Sequence, residues 1–221
     1  TNKGLCRYDG YNIHTHYRNG VLGNVQIHSM SIYNENFLLL GTENGLLVYN
    51  IRKDEYYAPR TGLSCIIRSM FIDGGTLILG TVQGLYTYVL SGGDNDEPPV
   101  LTAGAHALSG KDIYTVTRVK ERYIAGGFIG MFSLSKGLKE VESILVNGQT
   151  PNANAIVADE ESNCIWFCHR GLTRYHIPSG ETTRTAFMGS AKTMARDYDG
   201  NFIIGTDFGL FCVDPETGSS R

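Results

Sequence analysis

The chain has 221 residues, 27 of them glycine and only 6 proline, with a formal net charge of −3. That length suits one large all-β domain or somewhat more than one average domain. The charge gives no basic face for nucleic acid, and apolar runs of four to six residues are too short to span a membrane.

Taken in order, the chain opens on Thr1-Asn2-Lys3-Gly4-Leu5-Cys6-Arg7-Tyr8, the tail of a unit that then recurs. The first complete copy predicts strands at 25–33, 37–41, 46–49 and 56–57, labelled A to D. Its centre is Gly41-Thr42-Glu43-Asn44-Gly45-Leu46, a tight glycine turn between two apolar strands. The second copy predicts strands at 65–72, 76–80 and 85–89 and one near Val100. Its insert at 91–99 carries Asp94, Asp96 and Glu97 and reads as an exposed acidic C-to-D loop. Strands follow at 113–119, 122–126, 131–134 and 141–146 in the third copy, and at 153–158, 164–167, 172–176 and 183–187 in the fourth. The fifth has them at 192–197, 201–205 and 210–213. Pro178-Ser179-Gly180 and Pro215-Glu216-Thr217-Gly218 are matching C-to-D turns, and no stretch carries a helical period.

The second glycine of each unit sets a ruler: Gly4, Gly45, Gly84, Gly130, Gly171 and Gly209 lie 41, 39, 46, 41 and 38 residues apart. A period near 40 built only of strands marks a β-propeller with one four-stranded blade per repeat. The glycine has a physical reason, because a tight turn needs positive φ near its corner and glycine adopts it without steric cost. The next residue is always apolar (Leu5, Leu46, Leu85, Met131, Leu172, Leu210) and is expected to point inward against a neighbouring blade. The expected fold is therefore all-β, a β-propeller of four-stranded blades with about five blades present. Residues 1–24 form a partial first repeat, and full repeats run at about 25–63, 64–109, 110–151, 152–190 and 191–221. The expected strand count is 21, one more than a closed five-bladed ring uses, which favours an arc of a larger, seven-bladed propeller and a chain cut from something longer. An arc leaves strand edges that a second copy could pair with, so a homodimer is expected through residues near 5–17 or 202–213.

The five cysteines, Cys6, Cys65, Cys164, Cys168 and Cys212, lie in or beside predicted strands. They read as small buried core residues, since Cys164 and Cys168 find no second close pair to complete a zinc set.

The units "NFIIGTDFGLFCVDPETG" at 201–218 and "NFLLLGTENGLLVYN" at 36–50 resemble the two-component-regulator propeller repeat. The specific part is Gly-Thr, two variable residues, Gly-Leu, an aromatic, then Asp-Pro-x-Thr-Gly. Nearly the whole chain fits it. The family usually has Trp in strand B, three residues before the Thr; here those places hold Leu39, Ile78, Ile124, Ile165 and Ile203, and the one Trp is Trp166. That repeat builds the extracytoplasmic sensor of hybrid two-component histidine kinases, common in gut Bacteroidetes. The resemblance implies a periplasmic ligand sensor, often for glycans, with no catalytic residue in this region. It also implies a dimeric parent that meets the membrane only through other parts.

The two residues between Gly-Thr and Gly-Leu are the most informative variation. They read Asn2-Lys3, Glu43-Asn44, Val82-Gln83, Phe128-Ile129, His169-Arg170 and Asp207-Phe208 in an otherwise constant frame. In a propeller these B-to-C turns line one face of the disc with the D-to-A connections, and a ring of polar and aromatic groups there suits a sugar or another small polar ligand. Glu43, Asn44, Gln83, Phe128, His169, Arg170, Asp207 and Phe208 are therefore the candidate ligand-binding residues. The bland alternative is that turn tips vary because nothing constrains them.

Other chemistry is thin. His14 and His16 could share a strand face, but no further ligand of suitable spacing joins them, so no metal or cofactor is expected. Asp159-Glu160-Glu161 and Asp197-Tyr198-Asp199 resemble paired carboxylates but fall at A-to-B turns, whereas glycoside hydrolysis needs two carboxyls across one cleft. A propeller lyase or glycosidase is the rival reading. It is disfavoured because strand A of the first two full repeats, 25–33 and 65–72, holds no acidic residue. A cytosolic WD40-like scaffold lacks its Gly-His and Trp-Asp marks.

Overall fold

Short apolar runs cut by glycine turns bury their backbone polar groups only as antiparallel hairpins, and hairpins are what the chain builds. The structure, a computed structural model, describes residues 4–15, 25–94, 96–168, 171–187 and 189–220. The chain divides into two compact units, Thr1–Gly110 and Lys111–Arg221. Among the described residues there are 21 strands and no helix.

The first unit begins with a two-stranded hairpin, β1 (Cys6–Tyr8) and β2 (Ile13–Thr15). Blade 1 follows as β3 (Ile27–Ile32), β4 (Phe37–Thr42), β5 (Gly45–Asn50) and β6 (Glu55–Tyr57). Blade 2 is β7 (Ile67–Asp73), β8 (Thr76–Thr81), β9 (Gly84–Ser91) and β10 (Val100–Ala107). The second unit holds blade 3, with β11 (Ile113–Val119), β12 (Arg122–Gly127), β13 (Gly130–Ser135) and β14 (Val141–Ile144). Blade 4 is β15 (Ile156–Asp159), β16 (Cys164–Cys168), β17 (Leu172–His176) and β18 (Thr182–Arg184). Blade 5 is the three-stranded β19 (Thr193–Arg196), β20 (Phe202–Thr206) and β21 (Gly209–Val213). Every sheet is antiparallel, with its strands in chain order, so each blade is a meander whose first strand is A. These are β-propeller blades, and the all-β propeller reading of the repeat holds.

Within each unit, consecutive blades pack face to face. In the first, Phe37, Leu39, Leu46 and Val48 of blade 1 form one core with Ile67, Leu77, Leu79, Tyr88 and Leu90 of blade 2, while Leu5 joins Leu40 and Tyr49. In the second, Met131 and Ile124 of blade 3 pack with Ile156, Ile165 and Phe167 of blade 4, and Leu172 and Trp166 of blade 4 pack with Phe202 and Ile204 of blade 5. Each large apolar side chain so buried contributes roughly 1.5–3 kcal/mol. The motif residue after the glycine is buried at Leu5, Leu46, Leu85, Met131 and Leu172, as its regularity suggested, but Leu210 is 71% exposed. Burial there depends on a neighbouring sheet, not on the hairpin itself.

Two further expectations need correction. The 91–99 insert is not simply an exposed loop: Gly93 and Pro99 are buried. Tyr33 donates from its hydroxyl to Gly92 O at 2.8 Å, Asn34 Nδ2 to Gly93 O at 3.1 Å, and Lys53 Nζ to Asp96 O at 3.2 Å. The loop clasps the A-to-B and C-to-D corners of blade 1. The cysteines also divide. Cys65, Cys164 and Cys168 are buried, whereas Cys6, on the short strand β1, is exposed and Cys212 is half-buried.

Candidate functional site

The candidate site begins with how the B-to-C turn is closed. In blade 1 the Thr42 hydroxyl donates to Gly45 O at 2.7 Å and accepts from Asn44 N at 3.1 Å. Thr81 repeats the pair in blade 2, to Gly84 O at 2.9 Å and from Gln83 N at 3.0 Å. Thr206 does so in blade 5, to Gly209 O at 3.1 Å and from Phe208 N at 3.0 Å. The threonine of Gly-Thr is thus a lock for the turn, and one side chain satisfies two backbone groups that the sharp corner strands. All six motif glycines have positive φ, from 87° at Gly4 to 145° at Gly171. At Glu43-Asn44 and Val82-Gln83 the positive φ falls on the glycine after the tip and not on the two tip residues, as in a turn followed by a glycine bulge. At Gly84 a Cβ would also stand 2.7 Å from Ala107 O. The frame is therefore held by its own atoms, and the tip side chains are not needed to close it.

Each unit presents its tips separately. In the first, Glu43 and Asn44 join β4 to β5, and Gln83 lies in the equivalent turn joining β8 to β9. The two turns lie at the same end of their blades: Ser29, beside Gly41 in the register, donates to Ile67 O of the next blade at 3.1 Å. Glu43 is half-buried, and Asn44 and Gln83 are exposed. In the second unit, Phe128 is 68% exposed at the β12–β13 turn and Phe208 is 94% exposed at the β20–β21 turn, beside Asp207. His169 and Arg170 lie outside the described residues.

Asp207 and Phe208 are brought to a cavity of about 720 Å³ whose wall also includes Phe187, Phe211, Thr206 and Ser190. Phe187 and Phe211 meet edge to face at 5.8 Å between centroids. Lys192 Nζ stands 3.4 Å from Asp207 Oδ2. Both partners are mostly exposed, so the pair is worth well under ~1 kcal/mol to the fold. It sets a donor beside an acceptor, and Asp207 lines the aromatic cavity. Phe187, Phe211 and Lys192 were not singled out from sequence, because Phe187 follows the end of a D strand and its approach to β21 is a tertiary fact.

A second missed set lies at the head of strand A. The ladder between β3 and β4 pairs Ile27 with Thr42 and Ser29 with Gly41, which leaves His28 as an extra residue, a β-bulge. Arg68 is the extra residue between β7 and β8, and Tyr114 between β11 and β12. The signal was present in the sequence as a constant frame around a variable position: Ile27-His28-Ser29-Met30, Ile67-Arg68-Ser69-Met70 and Ile113-Tyr114-Thr115-Val116. Lys192, just before Thr193-Met194, holds the corresponding place in blade 5, where Thr193 pairs with Gly205. His28 Nε2 is buried without a hydrogen-bond partner. Burial, then the Arg68 charge, lowers its pKa below the usual imidazole value, against an opposing effect of Glu43.

The remaining candidates are structural. His14 Nε2 and Asp9 Oδ2 are 2.9 Å apart on the exposed leading hairpin, and His16 lies outside the described residues. The Asp197 carboxylate accepts from Asp199 N at 2.9 Å and Asn201 N at 2.8 Å, and Asp159 accepts from Ser162 N at 3.3 Å. Both are turn residues. Among the described residues no group of three or more acidic, histidine or cysteine side chains could hold a metal ion, and no helix is long and apolar enough to cross a membrane.

Meander blades built on this repeat, with variable tips, define a β-propeller-repeat protein. Solved structures carry that likeness. The extracellular domain of BT4673 from B. thetaiotaomicron is described in one structure as that of a one component system and in another as that of a hybrid two component system. It is 30% identical to this chain over all of this chain and 30% of its own length, with a TM-score of 0.80. The extracellular domain of the BT3049 system, described as a hybrid two component system of the same organism, is 15% identical over 90% of this chain and 30% of its own, with a TM-score of 0.66, and shows the fold alone. This chain thus spans about a third of the length of these B. thetaiotaomicron domains. No family model matches the chain, and none of the curated proteins does.

Proposed function

We propose that this chain is part of the periplasmic ligand-sensing region of a hybrid two-component sensor histidine kinase. It responds to a glycan or another small polar ligand, and its signal passes to an inner-membrane parent. The single observation that carries this reading is the 30% identity to the BT4673 extracellular domain along the whole chain. Each unit forms its ligand face from its own B-to-C tips, with Glu43, Asn44 and Gln83 in the first and Phe128, His169, Arg170, Asp207 and Phe208 in the second. In blades 1, 2 and 5 the turn frame does not need the tip side chains, and Asp207 and Phe208 already line an aromatic cavity. The region itself catalyses nothing.

A panel of oligosaccharides, followed by calorimetry and by product analysis, tests this. Binding without turnover is expected, weakened at least tenfold when Glu43, His169, Arg170 and Asp207 are all changed to alanine. Robust turnover, or affinity untouched by the fourfold change, overturns the assignment. The chain also pairs with a second copy through the open strands β1 or β21. Among the described residues each lies at the edge of its sheet, where another chain can pair.

A further inference from the structure

At blade 5, phenylalanine rings and an ion pair share one cavity. We propose that this cavity, which lies wholly within the second unit, is a seat for an aryl glycoside, a ligand that joins an aromatic ring to an uncharged, hydroxylated one. The inference rests on the sensor reading and names the ligand chemistry of the blade 5 tip.

The cavity volume of about 720 Å³ falls within the usual range for small-molecule sites, roughly 300–1,000 Å³. Three segments wall it, and each is held without help from the tip side chains. In the segment after strand D of blade 4, Phe187 N donates to Thr185 Oγ1 at 3.3 Å, and Cys168 Sγ donates to Gly189 O at 3.1 Å. A Cβ at Gly189 would stand 2.5 Å from Phe187 Cζ, so glycine lets the main chain lie against that ring. The segment after β21 folds back on itself. Gly218 N donates to Asp214 O at 2.8 Å, and Ser220 bridges to Val213. The third segment is the tip, locked by Thr206. Beside it, Lys192 N donates to Gly205 O at 2.8 Å, and the Lys192 Nζ stands 3.4 Å from Asp207 Oδ2.

Phe187 and Phe211 belong to the core between blades 4 and 5, whereas Phe208 stands outside it and is 94% exposed. A third ring is thus presented at the cavity beside an edge-to-face pair. An aromatic ring arriving there gains offset or edge contacts beyond the area it buries. A sugar alone would press hydroxyls against phenyl rings, which offer them no hydrogen bond, and losing water there is costly. A purely apolar ligand would leave the Lys192–Asp207 pair unused. A charged ligand of either sign meets a like charge in that pair. An aryl glycoside sets its aromatic ring among the phenylalanines and its hydroxyls at Asp207, which accepts, and at Lys192, which donates.

The experiment is calorimetry on the whole chain with phenyl β-glucoside and, as its counterpart without the aromatic ring, methyl β-glucoside. The phenyl compound is expected to bind about tenfold more tightly, the size of one buried aromatic contact. Phe208→Ala should remove the preference, and Phe208→Tyr should keep it. Both changes fall on an exposed side chain, and melting curves show that each variant is folded. Asp207→Ala should weaken both glucosides and leave their ratio unchanged. Raised salt should not alter the preference, because neither ligand is charged. Equal binding of the two glucosides, a preference that survives Phe208→Ala, or no binding of the phenyl compound overturns the proposal. So does light scattering in which Phe208→Ala abolishes self-association while glucoside binding is unchanged, since the ring then packs on a second copy. Where oligosaccharides bind through the tips while the two glucosides bind alike, the sensor reading stands and the aryl seat falls.

Discussion

At the scale of the residue, the B-to-C turn of blades 1, 2 and 5 is governed by two residues with opposite economies: a threonine that satisfies backbone groups and a glycine with no side chain to clash. Replacing Gly84 by Val forces a branched side chain into φ of +132° with its Cβ 2.7 Å from Ala107 O. A loss of roughly 1–3 kcal/mol is expected, read as a shift in the denaturation midpoint; an unchanged midpoint would mean that the turn refolds around the new residue. His28 supplies a pH signature. Burial, and after it the Arg68 charge, sets its folded pKa below the usual 6.5, so the unfolded chain takes up the proton first. Stability therefore falls as pH drops through about 6.5, and the loss is complete below the lower folded value. Denaturation at about pH 7 and about pH 5 should show this, and His28→Asn should flatten its share of the slope. The glycine and the tip residues were legible in the sequence because they recur against a variable background. His28, Arg68 and Tyr114 were not singled out, although they obey the same logic. Inside a strand a period of two was assumed, and the extra residue of a bulge is invisible until the ladder is paired.

At the scale of the element, the strands came through well and the connections less so. β4, β8, β12 and β16 are apolar runs ended by a turn, and local pattern suffices for them. Strand D of blade 2 was read as a few residues near Val100, whereas β10 extends from Val100 to Ala107. Alternating small and polar residues carry no strong strand signal, and the pairing with β9 provides the rest. The 91–99 insert looked solvated because it is acidic, yet its backbone carbonyls are what blade 1 grips. Shortening it to a two-residue turn should expose the A-to-B corner of blade 1, and hydrogen exchange there should speed up while that of β8 and β9 stays slow. Uniform exchange across both blades would show that the clasp contributes nothing local. The charged contact between the A-to-B corners of blades 3 and 4 is weaker. Arg118 and Glu160, 3.2 Å apart, are both part-exposed, and such a pair contributes roughly 0–1 kcal/mol. The apolar faces, not these pairs, join the blades.

At the scale of the whole molecule, the period of about 41 residues exposed the blade count before any coordinate, because every blade repeats a hairpin turned on a positive-φ glycine. Leu210 is where that logic stopped. Its sequence environment matches Leu46 and Leu172, but what buries those residues is the next sheet, which no motif around Leu210 encodes. The proposed pairing with a second copy would use the exposed β21 face and the short β1 strand. Light scattering across a range of concentrations should show mass rising above 24.3 kDa, and proline placed in β21 should reverse it; a constant monomer mass would remove the pairing proposal. The locked turn has a further consequence for descent. A corner closed by its own threonine and glycine makes tip substitutions nearly neutral for folding, so selection can retune recognition at one blade while the other blades keep theirs. Duplicating a blade copies the frame intact and hands evolution two new unconstrained letters, so novelty in what is sensed can accumulate without new architecture.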